Sequence, residues 1–247
     1  MKPVNKALIT LIAAALLFAL SSAAWYTLVT RTTTVKLIFD AKIDGATTVF
    51  NQAKYANPGG DGTILIRDFR FFLSNIELLG NGTRHILPAS YTVLRYDETT
   101  HQHVVTLKHI PNLNFDRIRL GIGVDPATNK SLKSLGDLNP NGRMAWSWSV
   151  GYKFVLLEGL LKTTAGDTPL VYHIGFDENY TVVELPLPEH GMLEPLERLT
   201  FDVLPLQLFM GDAPLDMQET PSIKFDRTDA RRVAAQFQHF IAPPRRG

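Results

Sequence analysis

The chain has 247 residues, 45% hydrophobic and 20% charged, with a formal net charge of +1, a profile that fits a globular protein able to bury a sizeable core. It carries no basic run before the terminal Arg245 and Arg246, which argues against nucleic acid as a partner, since phosphate neutralisation needs a basic face. It contains no cysteine, which excludes disulfides, thiolate metal sites, a cysteine nucleophile and a lipidated N-terminal cysteine. His and Met remain as soft or borderline ligands.

The N-terminus has the features of an export segment. Lys2 and Lys6 precede an apolar run from Ala7 to Leu20, and Ser22-Ala23-Ala24 forms a small-x-small cleavage pattern. Apolarity also continues through Trp25, Tyr26, Leu28 and Val29, so residues 7–29 equally suit a retained membrane anchor with an interfacial aromatic belt. Under either reading the folded part begins near Thr32 and lies outside the cytoplasm, in the periplasm or at the cell surface.

Residues Thr34–Asp40 suit a first strand, and the cluster Asn57-Pro58-Gly59-Gly60-Asp61-Gly62 a turn. The run Thr63–Leu79 is apolar on both faces and too long for a straight strand, which predicts a central position and a bulge near Asp68. Gly80-Asn81-Gly82 predicts a hairpin turn. Further strands are expected over Tyr91–Tyr96, His103–Ile110 and Arg117–Val124, followed by a long irregular connection from Asp125 to Arg143. From Trp146 the bulky residues Trp146, Trp148, Val150, Tyr152, Phe154 and Leu156 alternate with small or polar ones, the pattern of one continuous half-buried strand. Strands over Leu170–Phe176, Tyr180–Leu185 and Arg198–Leu208 follow. Asp226–Phe240 predicts the one helix of the folded region, with Val233, Phe237 and Phe240 on a single face, and the tail from Pro243 to Gly247 is expected to fray. The expected fold is mostly β, an antiparallel β-sandwich of about nine strands with an N-terminal signal or anchor helix and a short C-terminal helix. The expected division is 1–31 signal or anchor, 32–225 sandwich, and 226–247 helix and tail.

No hydrolase elbow, H-E-x-x-H, P-loop or G-x-G-x-x-G occurs, so the chain is expected to be a non-enzyme. His101 and His103 of the HQH triplet have the i, i+2 spacing that places two imidazoles on one side of a strand, a copper or zinc chelating pattern. His103 also alternates with apolar neighbours, as a hydrogen-bonded core histidine does. Two tryptophans sharing a face at the mouth of a loop are in most proteins core residues.

Four segments, FRFFLSNIELL (Phe69–Leu79), LGIGVDPATN (Leu120–Asn129), MAWSWSVGYKF (Met144–Phe154) with LEG after it, and VYHIGF (Val171–Phe176), occur in an order and spacing that resemble the MbnP-like family of methanobactin-operon and copper-repressible surface proteins. The resemblance runs from Thr34 to Phe209, and M-x-W-x-W-x-x-G-Y is its most specific part. It implies an exported copper-binding protein in which a tryptophan is oxidised to kynurenine by a partner, a di-haem cytochrome c peroxidase-like protein of the MbnH type. Kynurenine presents an aryl amine and a ketone where indole offers no ligand, and histidine imidazole completes such a site. Carried onto this chain, the implied metal-site residues are Trp146, Trp148 and His173, and His103 of the HQH triplet is a further candidate. Of the two tryptophans Trp148 is the expected modified residue, because it is set deeper into the strand and can be held in fixed geometry against Tyr152, whereas Trp146 borders the loop. Strand parity places Tyr172, Ile174 and Phe176 in the core and His173 on the opposite face. Tryptophans facing the core would therefore meet His173 only through a bulge at Gly175 or at a sheet edge. The competing class is a metal-free exported β-sandwich serving adhesion or binding in the bacterial envelope.

Overall fold

The computed structural model describes residues 11, 13–22, 31–80, 82–88, 90–131, 136–147, 150–190, 194 and 196–247. Lys2, Lys6, the cleavage pattern after Ser22 and the aromatic pair Trp25-Tyr26 lie outside them, as does Trp148. Residues 13–22 are helical, and no helix among the described residues is long and apolar enough to cross a membrane.

Eleven strands of three or more residues are described: β1 (Thr32–Ile43), β2 (Thr63–Gly80), β3 (Thr83–Ile86), β4 (Tyr91–Tyr96), β5 (Gln102–Pro111), β6 (Arg117–Ile122), β7 (Ala145–Ser147), β8 (Gly151–Thr163), β9 (Gly166–Gly175), β10 (Thr181–Pro186) and β11 (Arg198–Val203). They form two sheets, as the sandwich expectation requires. In the first, β1 pairs antiparallel with β5 and parallel with β11. The second is ordered β10-β6-β2-β8-β9, with β3 and β4 also on β2 and β7 on β8. The sheets are mixed, because β1 with β11 and β9 with Ser222–Ile223 pair in parallel.

The second sheet is built around β2. Its first half pairs with β8 and its second half with β6, while β4 and β3 occupy its other edge. Eighteen residues stay in one strand because the strand bends twice. The register against β8 steps from Asp68 to Ile66 while β8 advances from Glu158 to Gly159, so Arg67 is an extra residue and the expected bulge is present. A second irregularity falls between Ser74 and Glu77, where Asn75 adopts φ +46°. The hairpin expected after Gly80 closes by pairing Gly80 with Thr83.

The core fills both inner faces. Phe39 and Phe201 stack at 4.8 Å in the first sheet, and Phe71 of the second meets Phe240 edge-on at 5.1 Å. Phe240 follows the C-terminal helix Arg227–Ala234, which is capped by Asp226 accepting from the Asp229 amide at 2.8 Å. Val233, Phe237 and Phe240 are all fully buried, as their spacing predicted. The tail does not fray. Arg245 and Arg246 pair with Thr200 and Leu199 at the edge of β11, and Arg245 donates to Asp202 at 2.8 Å. That strand edge lacked a partner, and the tail supplies one.

Candidate functional site

The tryptophan stretch is not one strand. β7 and β8 form an antiparallel hairpin in which Ser147 pairs with Gly151 and Ala145 with Tyr152, and the Lys153 amide donates to the Met144 carbonyl at 2.7 Å. The alternation from Trp146 to Leu156 therefore mimicked a strand across a chain reversal. Two features make the reversal. Gly151 has φ +91°, a conformation that side chains disfavour. A Cβ there would also lie 2.3 Å from the Asn129 amide oxygen. That oxygen accepts from the Tyr152 amide at 2.9 Å, and Asn129 Nδ2 donates to Asp177 at 2.8 Å.

Asn129 ends a tight polar assembly that joins all four motif segments. Asp125 caps the helical turn Pro126–Asn129 through the Thr128 amide at 3.1 Å, and it accepts from Tyr91 and from Asn75 Nδ2. Burial pushes the Asp125 carboxyl up, but donation from Tyr91, Thr128 and Asn75 outweighs this and holds it below the usual carboxylate range. Asn75 also donates to the Tyr180 hydroxyl at 3.0 Å, Ser74 donates to the Gly123 carbonyl at 2.8 Å, and Asn179 donates to the Gly175 carbonyl at 2.7 Å. Much of the motif chemistry is thus structural, and it anchors the hairpin and the end of β9 to each other.

Within β7, Trp146 is the extra residue of a bulge, since Ala145 and Ser147 pair with consecutive residues of β8. A bulge re-aims its side chain, and the Trp146 six-membered ring lies over Gly175, where a Cβ would come within 2.7 Å of it. Alternation along β9 puts Gly175 on the side that also carries His173, two residues earlier. Trp146 is therefore turned to the side of the sheet that Gly175 shares with His173, where it is half-buried against the edge of the core. Its ring packs between Phe176 at 5.1 Å and Phe225 at 5.3 Å. Phe225 is 63% exposed, and the Arg227 guanidinium covers Phe176 at 4.2 Å.

The same side of the sheet holds a chain of charges. His173 Nε2 is 2.9 Å from Glu158 Oε1, and its side chain is only 13% exposed. Glu158 is paired with Arg143, whose Nε is 3.3 Å from Asp68, and Asp68 takes a bidentate pair from Arg70 at 2.8 Å. Lys153 Nζ donates to the Arg143 carbonyl at 2.7 Å. Burial, with the Lys153 and Lys224 cations nearby, lowers the His173 imidazole below its ordinary value despite Glu158. Burial raises the Glu158 carboxyl, and donation from His173 and Arg143 more than reverses this. Glu158 and Arg143 were not among the expected site residues. The E of LEG and the Arg two residues before Ala145 were the available signals.

His103 is elsewhere. It sits in β5 of the first sheet, where its Nε2 is 2.9 Å from the Arg95 amide and its ring meets Tyr96 edge-on at 5.2 Å. His101 packs on Phe50 at 5.7 Å. No cluster of three or more His, Asp or Glu side chains suited to a metal ion occurs among the described residues. Of the expected metal-site residues, His173 is the one imidazole on the Gly175 side of β9, and it is backed by a carboxylate.

A family model described as MbnP matches residues 32–225. A solved structure, MbnP from Methylosinus trichosporium, is similar at 15% identity and TM-score 0.47, covering 72% of this chain and 78% of that one. No curated protein matches.

Proposed function

Since the chain belongs to the MbnP family, we propose that it is an exported copper-handling protein whose site is completed when a tryptophan of the W-x-W pair is oxidised to kynurenine. The observation that carries this reading is the placement of Trp146 on the His173 face of β9, over Gly175. Oxidative cleavage of the indole C2–C3 bond adds one oxygen atom to each carbon and gives N-formylkynurenine, and hydrolysis by water then releases C2 as formate, leaving an aryl amine and a ketone. The oxidant is hydrogen peroxide, two equivalents of which are reduced to water by the proposed di-haem peroxidase-like partner. His173 contributes an imidazole whose protonation burial disfavours, and a metal ligand must be unprotonated. Copper is the cargo, and the chain's own residues position the donors and exclude water from one side.

Trp148 was the expected modification site because a continuous strand would have locked it against Tyr152. The reversal at Gly151 removes the continuous strand on which that expectation rested; Trp148 lies outside the described residues, and Trp146 is held by Phe176 and Phe225. Peptide mass spectrometry of protein isolated from cells that contain the partner tests the reading. A kynurenine mass on the peptide spanning 144–153 is the expected result, with fragmentation assigning it to Trp146 or Trp148. Two intact indoles would favour the metal-free binding module, which the packing of Trp146 between two phenylalanines also suits.

A further inference from the structure

We propose that Glu158 is a positioning residue for His173, fixing the imidazole as its Nε2–H tautomer and leaving Nδ1 as the ligand atom, with Arg143 coupling that arrangement to the tryptophan hairpin. The proposal rests on the copper reading for its purpose, but its geometry is independent of any metal.

An ionised carboxylate only accepts hydrogen bonds. The 2.9 Å contact between His173 Nε2 and Glu158 Oε1 therefore places the proton on Nε2 and the lone pair on Nδ1. Glu158 can act this way because of where the strands put it. On β8 it stands opposite Val171, and His173 stands opposite Leu156. The two are diagonal neighbours on one face, a separation that a glutamate spans. On its other side Glu158 stands opposite Asp68, beside the Arg67 bulge of β2. That bulge requires the residue after Glu158 to be glycine, since a Cβ at Gly159 would lie 2.2 Å from the Leu65 carbonyl oxygen. LEG is thus a unit, with Gly159 admitting the bulge and Glu158 using the face it creates.

The carboxylate is itself held. Its Oε2 pairs with Arg143, Arg143 reaches Asp68, and Asp68 is fixed by Arg70. Arg143 lies two residues before β7, and its backbone carbonyl is pinned by Lys153. A shift of the hairpin that carries Trp146 would therefore be transmitted through Arg143 and Glu158 to the ring of His173. A partner carboxylate that orients a ligating imidazole commonly changes metal affinity by about 10- to 100-fold when removed.

The test uses the metal-free full-length protein. Long-range 15N-edited NMR at alkaline pH reads the tautomer of His173, assigned by comparison with His173→Gln. The wild type is expected to show one tautomer, Nε2–H. Glu158→Leu and Glu158→Asp are expected to give mixed tautomers, the second because the shorter side chain withdraws the carboxylate while keeping its charge, so that the test survives if the first variant fails to fold. Glu158→Gln, whose amide oxygen still accepts, is expected to retain Nε2–H. On modified protein, copper(I) competition against a chelator should then show a loss of about 10- to 100-fold for Leu and Asp and near-recovery for Gln. An Nδ1–H tautomer in the wild type, or no change of tautomer in Leu and Asp, overturns the proposal. A tautomer change in protein that binds no copper in any variant supports the positioning role and overturns the copper reading instead.

Discussion

Gly151 shows how a single residue decides the local fold. Its φ of +91° and the Asn129 amide against its Cα leave no room for a side chain. Gly151→Ala is expected to destabilise the protein by about 1–3 kcal/mol, with Asn129→Ala acting on the same contact, so that the double variant costs less than the sum of the two. Chemical denaturation of the four proteins checks this. Asp125 makes a different kind of prediction. Its carboxyl is lower in the folded chain than in the unfolded one, so its contribution is fully present above the unfolded value of about 4 and is lost as pH falls through the folded value. Below about pH 4 the urea midpoint of the wild type should therefore fall more steeply than that of Asp125→Asn, and parallel curves would show that the Tyr91, Thr128 and Asn75 contacts contribute nothing. The sequence made His173 legible as an outward-facing residue through strand parity. It could not reveal Glu158, because a partner two positions away on a neighbouring strand depends on pairing register, which no local pattern encodes.

Elements were legible where periodicity was sustained and misleading where the chain turned. The bend of β2 near Asp68 followed from apolarity on both faces, and it is there. The C-terminal helix followed from the spacing of Val233, Phe237 and Phe240. The W-x-W segment failed for a physical reason: a tight hairpin flanked by bulky residues has the same period of two as a strand, and only the glycine at 151 distinguishes them. The tail misled in the opposite sense, since Pro243-Pro244 marks an end of regular structure and says nothing about an open sheet edge nearby. Because Phe240 inserts edge-on against Phe71, the C-terminal element is part of the core. Phe240→Ala is expected to cost about 3–5 kcal/mol, and the loss should appear as a lowered midpoint of one cooperative unfolding transition. A separate early transition assigned to the C-terminal segment would show that it packs as an appendage.

For the whole molecule, the sandwich supplies a rigid sheet whose inner face is closed by aromatic packing and whose outer face carries the candidate chemistry. The bulge at Trp146, the glycine at 175 and the outward parity of His173 bring an indole and an imidazole to one side of β9. Among the described residues no group of three or more His, Asp or Glu side chains is arranged for a metal ion. Under the proposed function copper binding is conditional on tryptophan oxidation, which copper(I) titration of the full-length chain, before and after treatment with the proposed di-haem peroxidase-like partner and peroxide, measures directly. Tight binding is predicted only after treatment, in proportion to the kynurenine formed, and is predicted to be lost in His173→Ala and in the Trp146→Phe, Trp148→Phe double variant. Equally tight binding by the untreated chain, or by the double variant, would contradict it.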